Sequence, residues 1–275
     1  LLVPHEDYVG RVETRTDTLH QAMLDAMAAT LDRDAVPHAL PPLWHWMLFQ
    51  VWVRPAEIGP DGHPRRGGFL PPAHDLPRRM YAGGRVTFAA PLRPGDAVTR
   101  TSTITRVERK SGASGTLLFV TVRHVIAGPA GEALTEEHDI VYRGLAGAAA
   151  KPTAAFVDPD AAFGRAVTPD PVLLFRYSAL TGNGHRIHYD QPYVTAVENY
   201  PGLIVHGPLQ ATLLSELVLA RHPGAALKSF HFRALRPVFD TQPFRVVGQD
   251  SGAGAKLWTV DHAGQVCMQA EAALA

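Results

Sequence analysis

The chain of 275 residues has a single cysteine, Cys267. That excludes an internal disulfide framework and a structural zinc site built on paired thiolates. It fits a reducing compartment, so the cytoplasm is the expected location. Excess charge of either sign is also missing, since 26 Lys and Arg face 26 Asp and Glu. No global field draws the chain to nucleic acid or to an anionic membrane, and any phosphate binding has to be local. Long apolar runs are lacking as well. The most apolar windows, such as Ala211 to Ala220, are broken by Ser215 and Glu216 and are too short to span a bilayer. The first residues, LLVPHEDYVG, carry acids and a proline where a secretory signal places a basic cap and an apolar run. What is present is a hydrophobic content of 46%, enough for two cores in a chain of this length.

A bland, Pro-containing stretch, LAGAAAKPTAAFVDP from Leu145 to Pro159, reads as a linker and divides the chain into residues 1–150 and 151–275. Before it, Gly84–Phe88, Ala97–Glu108, Thr116–Ile126 and Ala133–Tyr142 have strand character. After it, Ala226–Ala234, Pro243–Asp250, Lys256–Asp261 and Gln265–Leu274 repeat the rhythm. The repeat is most visible at proline corners, Thr87–Asp96 and Phe232–Thr241, a feature common at strand ends. The second half holds an amphipathic helix, Gly207–Arg221, with Pro208 in its first turn and Pro223 beyond its end, expected to lie across the sheet. In the first half, Val53–Met80 contains Pro55, Pro60, Pro64, Pro71, Pro72 and Pro77, which no long helix tolerates. Thr16–Asp32 is that half's best helix, with Asp17 or Thr18 as its cap.

Chemistry concentrates between Phe175 and Gly207. Asp170-Pro171 caps and opens a short helix, Val172–Leu180, which ends at Gly182. A turn through Asn183 and Gly184 then presents His185, Ile187 and His188. An imidazole there can move a proton near neutral pH, although a turn histidine bonded to backbone is the commoner case. Tyr200-Pro201-Gly202 returns the chain so that Gly207, at a helix mouth, offers unpaired N–H groups to an oxygen gaining negative charge. A zinc site from His185, His188, Asp190 and His206 lacks a standard spacing, so no metal is expected. No G-x-S-x-G or G-x-G-x-x-G supports a hydrolase or a dinucleotide fold.

The run Gly182-Asn183-Gly184-His185-Arg186-Ile187-His188-Tyr189-Asp190 resembles the G-D-x-N-P-L-H-x-D motif of the MaoC-like (R)-specific enoyl-CoA hydratases and dehydratases. YPGLIVHGPL is similar to that family's entry to its central helix. FRYSALTGNGHRIHYD, with a WHW near the N-terminus, resembles the two-domain branch of mesaconyl-CoA or itaconyl-CoA hydratases and mitochondrial-type 3-hydroxyacyl-thioester dehydratases. The resemblance implies an α+β double hotdog: two antiparallel sheets, the second wrapped around a central helix, the first with that helix reduced or lost. It also implies reversible hydration of an α,β-unsaturated acyl-CoA, short or branched, with dicarboxylic groups among the candidates, and no cofactor. Carried over, His188 takes the proton-transfer position and Gly207 the thioester-polarising amide.

Asn183 stands where the motif has Asp, His185 where it has Asn, and Arg186 where it has Pro. The expectation is that Asn183 positions the water, that His185 is the leading second group and that Asp190 is an alternative partner for an imidazole. Trp46, of the Trp44-His45-Trp46 cluster, is a candidate pocket wall, though such a cluster more often plugs a sheet. Arg79, Arg233 and Arg236, with Arg78 and Arg85, are candidates for CoA phosphates or a substrate carboxylate, and His206 is a further binding candidate. Two other readings stay open: a carrier-protein dehydratase of fatty acid synthesis and a non-catalytic acyl-thioester binder. Either a monomer or a homodimer suits a fold that contains its own pair.

Overall fold

The computed structural model describes residues 5–112, 115–144 and 163–275. Ten antiparallel strands form one continuous sheet in the order β1-β3-β4-β5-β2-β7-β10-β9-β8-β6. The first half supplies β1 (Val12–Thr18), β2 (Arg78–Phe88), β3 (Ala97–Gly112), β4 (Gly115–Gly128) and β5 (Gly131–Arg143). The second supplies β6 (Phe163–Val167), β7 (Leu227–Ala234), β8 (Phe244–Ser251), β9 (Gly254–Val260) and β10 (Val266–Leu274). The expected pair of sheets is therefore a single sheet, joined where β2 pairs with β7 from Gly83↔Arg233 to Thr87↔Ser229. That pairing satisfies the backbone groups that two separate edge strands would leave open. The expected boundary near residue 150 lies outside the described residues.

The junction is shaped by a bulge in β2 between Tyr81 and Gly83. One extra residue in a strand re-aims the side chains that follow it. Arg79 and Tyr81, which pair with Tyr142 and Ile140, therefore share the inner face with Gly84 and Val86 beyond the bulge, while Arg85 turns outward to Glu137 and Asp139. A Cβ on Gly84 would stand 3.0 Å from the Phe232 ring, so glycine makes room for that aromatic at the seam.

Among the described residues, four α-helices accompany the sheet: α1 (Gln21–Thr30), α2 (Pro171–Leu180), α3 (Gln191–Ala196) and α4 (Gly207–Arg221). Helix α4 lies across β7 to β10 as expected. It is more enclosed than an amphipathic stripe requires. Gln210, Thr212 and Ser215 are buried together with Leu209, Leu213, Leu214 and Val218. These polar groups have partners: Gln210 bonds Thr259 and the Val205 carbonyl, Thr212 the Pro208 carbonyl and Ser215 the Thr212 carbonyl. Such satisfaction makes their burial tolerable.

The first half differs from the sequence expectation at its start. Residues 12–18 form edge strand β1, and the helix begins only at Gln21, after His20, which makes no side-chain cap bond. Asp17 instead accepts from the backbone N–H groups of Thr18 and Phe49. Helix α1 packs against α2 of the other half. Among the described residues, no long helix covers strands β2 to β5. Trp44, His45 and Met47 are buried in a single 3-10 turn, and Ala73 and Leu76 from the proline-rich stretch join Ile104, Leu118, Val120, Val122, Ile140 and Tyr142 in a small separate core. The aromatic cluster thus fills space over the sheet, as its plugging role requires.

Candidate active site

Asp170 caps α2 by accepting from the N–H groups of Val172 and Leu173, and Gly182, at φ +60°, leaves the helix in the left-handed region that glycine adopts without strain. The loop that follows carries the motif. Asn183 Oδ1 accepts from the His185 N–H at 3.0 Å, so the carboxamide oxygen is used to shape the turn. His188 is buried, and its Nδ1 lies 2.7 Å from the carbonyl oxygen of Ile204. A carbonyl only accepts, so Nδ1 carries the hydrogen and Nε2 is left as the acceptor. Burial pushes His188 down to about 4, with the Ile204 bond opposing the shift, and the ring is a neutral base near pH 7.

The return segment is bound to the motif loop as the sequence suggested. The Ile204 N–H donates to the Ile187 carbonyl at 2.9 Å. His206 stacks on His188, with centroids 3.7 Å apart and planes 19° apart, and its Nε2 meets Ser178 Oγ at 2.8 Å. Gly207 opens α4 next to this stack. First-turn N–H groups have no intrahelical acceptor, and a Cβ on Gly207 would meet nothing closer than Met268 Cε at 3.9 Å and Tyr81 Cβ at 4.0 Å. A methyl-sized group therefore fits beside Gly207 with ordinary contacts.

The first half contributes residues that sequence reasoning missed. The run Pro60-Asp61-Gly62-His63-Pro64 docks on the motif loop. The Asp61 carbonyl accepts from the Arg186 N–H at 2.9 Å, the Pro60 carbonyl accepts from Arg186 Nη1 at 3.0 Å, and a Cβ on Gly62 would overlap the Gly184 carbonyl oxygen. This brings the His63 ring 4.3 Å from that of His185, which in turn stands edge-on to His188 at 5.5 Å. Asp61 Oδ2 accepts from His63 Nδ1 at 3.1 Å. Burial opposes the Asp61 charge, but the His63 bond and field outweigh it and hold the carboxyl well below its usual range. Burial pushes His63 and His185 down. Asp61, His63 and His185 bring donor atoms within 4.8 Å of one another, but the Asp61–His63 bond makes the first two a carboxylate–imidazole pair. A turn of type Pro-Asp-Gly followed by His was the only signal in the sequence.

A second group surrounds Glu136 on β5, which is buried. His45 Nε2 donates to it at 3.0 Å, Trp46 Nε1 at 3.1 Å and Tyr81 Oη at 3.0 Å. Burial opposes the charge, and the His45 bond and neighbouring imidazoles outweigh it, so Glu136 stays ionised. Tyr81 also stacks on His138 at 4.0 Å, and Trp46 meets the edges of Tyr81 and Phe232. Trp46 and Tyr81 therefore form a fixed wall beside Gly207.

The remaining candidates divide. Arg79 lies on the inner face with Tyr81, and its field acts on His63, His138 and His185. Arg233 is exposed on the face of β7 opposite to Phe232, so it does not converge on the site. Arg236 sits beside Cys267, where its N–H donates to the Cys267 carbonyl and its charge acts on the thiol. Arg78 pairs with Glu198, and Arg85 with Glu137 and Asp139. Asp190 orients no imidazole: its Oδ1 caps α3 by accepting from the Tyr193 N–H, and its Oδ2 accepts from Nε and Nη2 of Arg186, four residues before it.

The family model for hydroxyacyl-thioester dehydratase type 2 matches residues 43–240. The chain belongs to this family. It is 46% identical over 250 residues, 89% of each chain, to mesaconyl-C(4)-CoA hydratase of Chloroflexus aurantiacus. Among solved structures it is similar to a MaoC-like dehydratase from Phytophthora capsici (TM-score 0.69, 18% identity, 99% of each chain covered). It is also similar to a Mycobacterium tuberculosis protein described as a double hotdog (TM-score 0.58, 12% identity, 99% and 98% covered). The family assignment makes this enzyme a hydro-lyase of acyl thioesters with a hotdog fold. No helix among the described residues is long and apolar enough to cross a membrane.

Proposed function

We propose that the enzyme adds water to a short, branched enoyl-CoA carrying a free carboxylate, of the mesaconyl-CoA or itaconyl-CoA type. The observation that carries this reading is the pairing of a neutral imidazole, with Nε2 as its acceptor, and a helix N-terminus that begins at Gly207, next to the ring stacked on it. His188 Nε2 takes a proton from water as the oxygen bonds to the β-carbon. The electrons of the double bond move to the α-carbon and the thioester oxygen, where the Gly207 N–H and the positive end of α4 hold the developing charge. The imidazolium then returns the proton to the α-carbon, so one water is added and no cofactor is consumed. His185 and Asn183 shape the loop around that water, and His206 holds the His188 ring by stacking.

The dicarboxylic choice rests on two observations. Arg79, on the inner face, has a field that reaches His63 and His185, and a guanidinium there suits a carboxylate. The wall of Trp46 and Tyr81 beside Gly207 limits the length of the acyl group. The kinship with a mesaconyl-C(4)-CoA hydratase supports the same choice and favours CoA over a carrier protein. Hydration of mesaconyl-CoA, itaconyl-CoA and crotonyl-CoA, followed in parallel by ultraviolet absorbance, tests it. A clear preference for crotonyl-CoA would overturn the dicarboxylate assignment.

A further inference from the structure

We infer that Asp61, held by His63, is the carboxylate of this active site and takes over the charge that the family motif places at position 183. Here that position is Asn183, and its carboxamide oxygen is already bonded to the His185 N–H. When His188 takes the proton from water, a positive charge appears in a buried pocket, and an uncompensated buried charge is costly. Asp61 is the acid whose field acts on His185, the ring next to His188. The line Asp61, His63, His185, His188 is continuous: a 3.1 Å hydrogen bond, a 4.3 Å ring contact and a 5.5 Å edge contact. Arg79 and Arg66 act on His63 with the opposite sign. A substrate carboxylate on Arg79 would neutralise the larger of these two fields and leave Asp61 to balance the imidazolium.

The inference rests on the His188 mechanism above and adds a positioning residue from the other half of the chain. It also explains the docking of the proline-rich loop. Arg186, which stands at the motif's Pro position, binds the backbone of Pro60 and Asp61, and Gly62 permits the close approach to Gly184. The carboxylate that position 183 lacks is thus supplied by Asp61 from the other half of the chain.

Asp61→Asn keeps the side-chain shape and the backbone contact. It should lower kcat for enoyl-CoA hydration about a hundredfold, the scale of losing one electrostatic stabiliser, with KM and melting temperature little changed. Asp61→Asn combined with Asn183→Asp should regain about tenfold or more of that loss, because the carboxylate returns at the family position; a purely structural role for Asp61 would give no such rescue. Wild-type activity should survive dialysis against a chelator. A kcat within threefold of wild type for Asp61→Asn would overturn the inference. So would a loss that Asn183→Asp fails to repair, or chelator inactivation reversed by zinc. Assaying His188→Gln alongside separates the two levels: if it is inactive while Asp61→Asn is not, the inference fails and the hydratase mechanism stands.

Discussion

His188 and Ile204 face each other across the motif, and the 2.7 Å bond from Nδ1 to the Ile204 carbonyl decides which nitrogen can act as the base. The carbonyl belongs to the segment that leads into α4, so the same contact sets the ring's tautomer and its place beside Gly207.

The pH dependence follows from burial. His124, His138 and His188 are all pushed down to about 4, whereas an unfolded imidazole titrates near ~6.5. Between those values the unfolded chain binds protons that the folded chain refuses. This contribution to stability is therefore present above about 6.5 and is lost progressively as pH falls toward 4. Denaturation midpoints across that window should fall with pH, while kcat at pH values where the protein remains folded shows no inflection near 6.5. Half-loss of kcat near 6.5 would mean that His188 is not the buried, neutral base described.

The Glu136 cluster should matter mainly to stability. Glu136→Ala would leave His45, Trp46 and Tyr81 without their acceptor. Breaking such a buried charged contact costs about 3–5 kcal/mol. Glu136→Gln, which keeps an acceptor oxygen, should cost less. Urea denaturation of the two variants gives the comparison, and equal losses would show that the charge, not the acceptor, is what the cluster needs.

Gly62→Ala tests the docking of the two halves at the site. At φ +91° a side chain is strained, and the new Cβ would overlap the Gly184 carbonyl oxygen. The loop carrying Asp61 and His63 should be displaced. Activity is expected to fall at least tenfold while far-ultraviolet dichroism stays that of the wild type, since the loop lies outside the sheet.

Gly207→Ala probes the helix mouth from the other side. The added methyl meets only ordinary contacts at 3.9 and 4.0 Å, and alanine favours a helix over glycine. The melting temperature should be unchanged or slightly higher. Substrate approaching the N–H would meet the methyl, so kcat/KM should drop; unaltered kinetics would remove Gly207 from the thioester site.

Where local sequence determines structure, the structure was readable. Helix α4 starts at Gly207 and ends at Arg221 as its prolines suggest, and α2 has the Asp170 cap and Pro171 start that the dipeptide announces. The alternating strands appear within a few residues of their expected bounds, except that β2 begins at Arg78, ahead of its bulge. The last three residues of edge strand β1, Thr16 to Thr18, read as the start of a helix because TDTLHQAMLDAM carries helical spacing into residues that pair with β3 instead. The site was legible mainly in its motif half, with Trp46 and Arg79 the first-half candidates that the fold brings near it. Asp61 and His63 lie over a hundred residues from His188 within a stretch dominated by proline, and nothing in local periodicity places them against His185. Glu136 likewise looks like an ordinary acid in the run Thr135-Glu136-Glu137-His138; only strand parity and the folded-over WHW turn put it inside.

The central claim is that His188 moves the proton in enoyl-CoA hydration at this helix mouth. The most direct measurement is the loss of enoyl absorbance when purified wild type and His188→Gln are each mixed with mesaconyl-CoA. Wild type should consume the absorbance, and the variant should be slower by about a hundredfold or more in kcat at similar stability, the scale of losing a general acid–base group. A His188→Gln enzyme that hydrates the thioester at the wild-type rate would contradict the account.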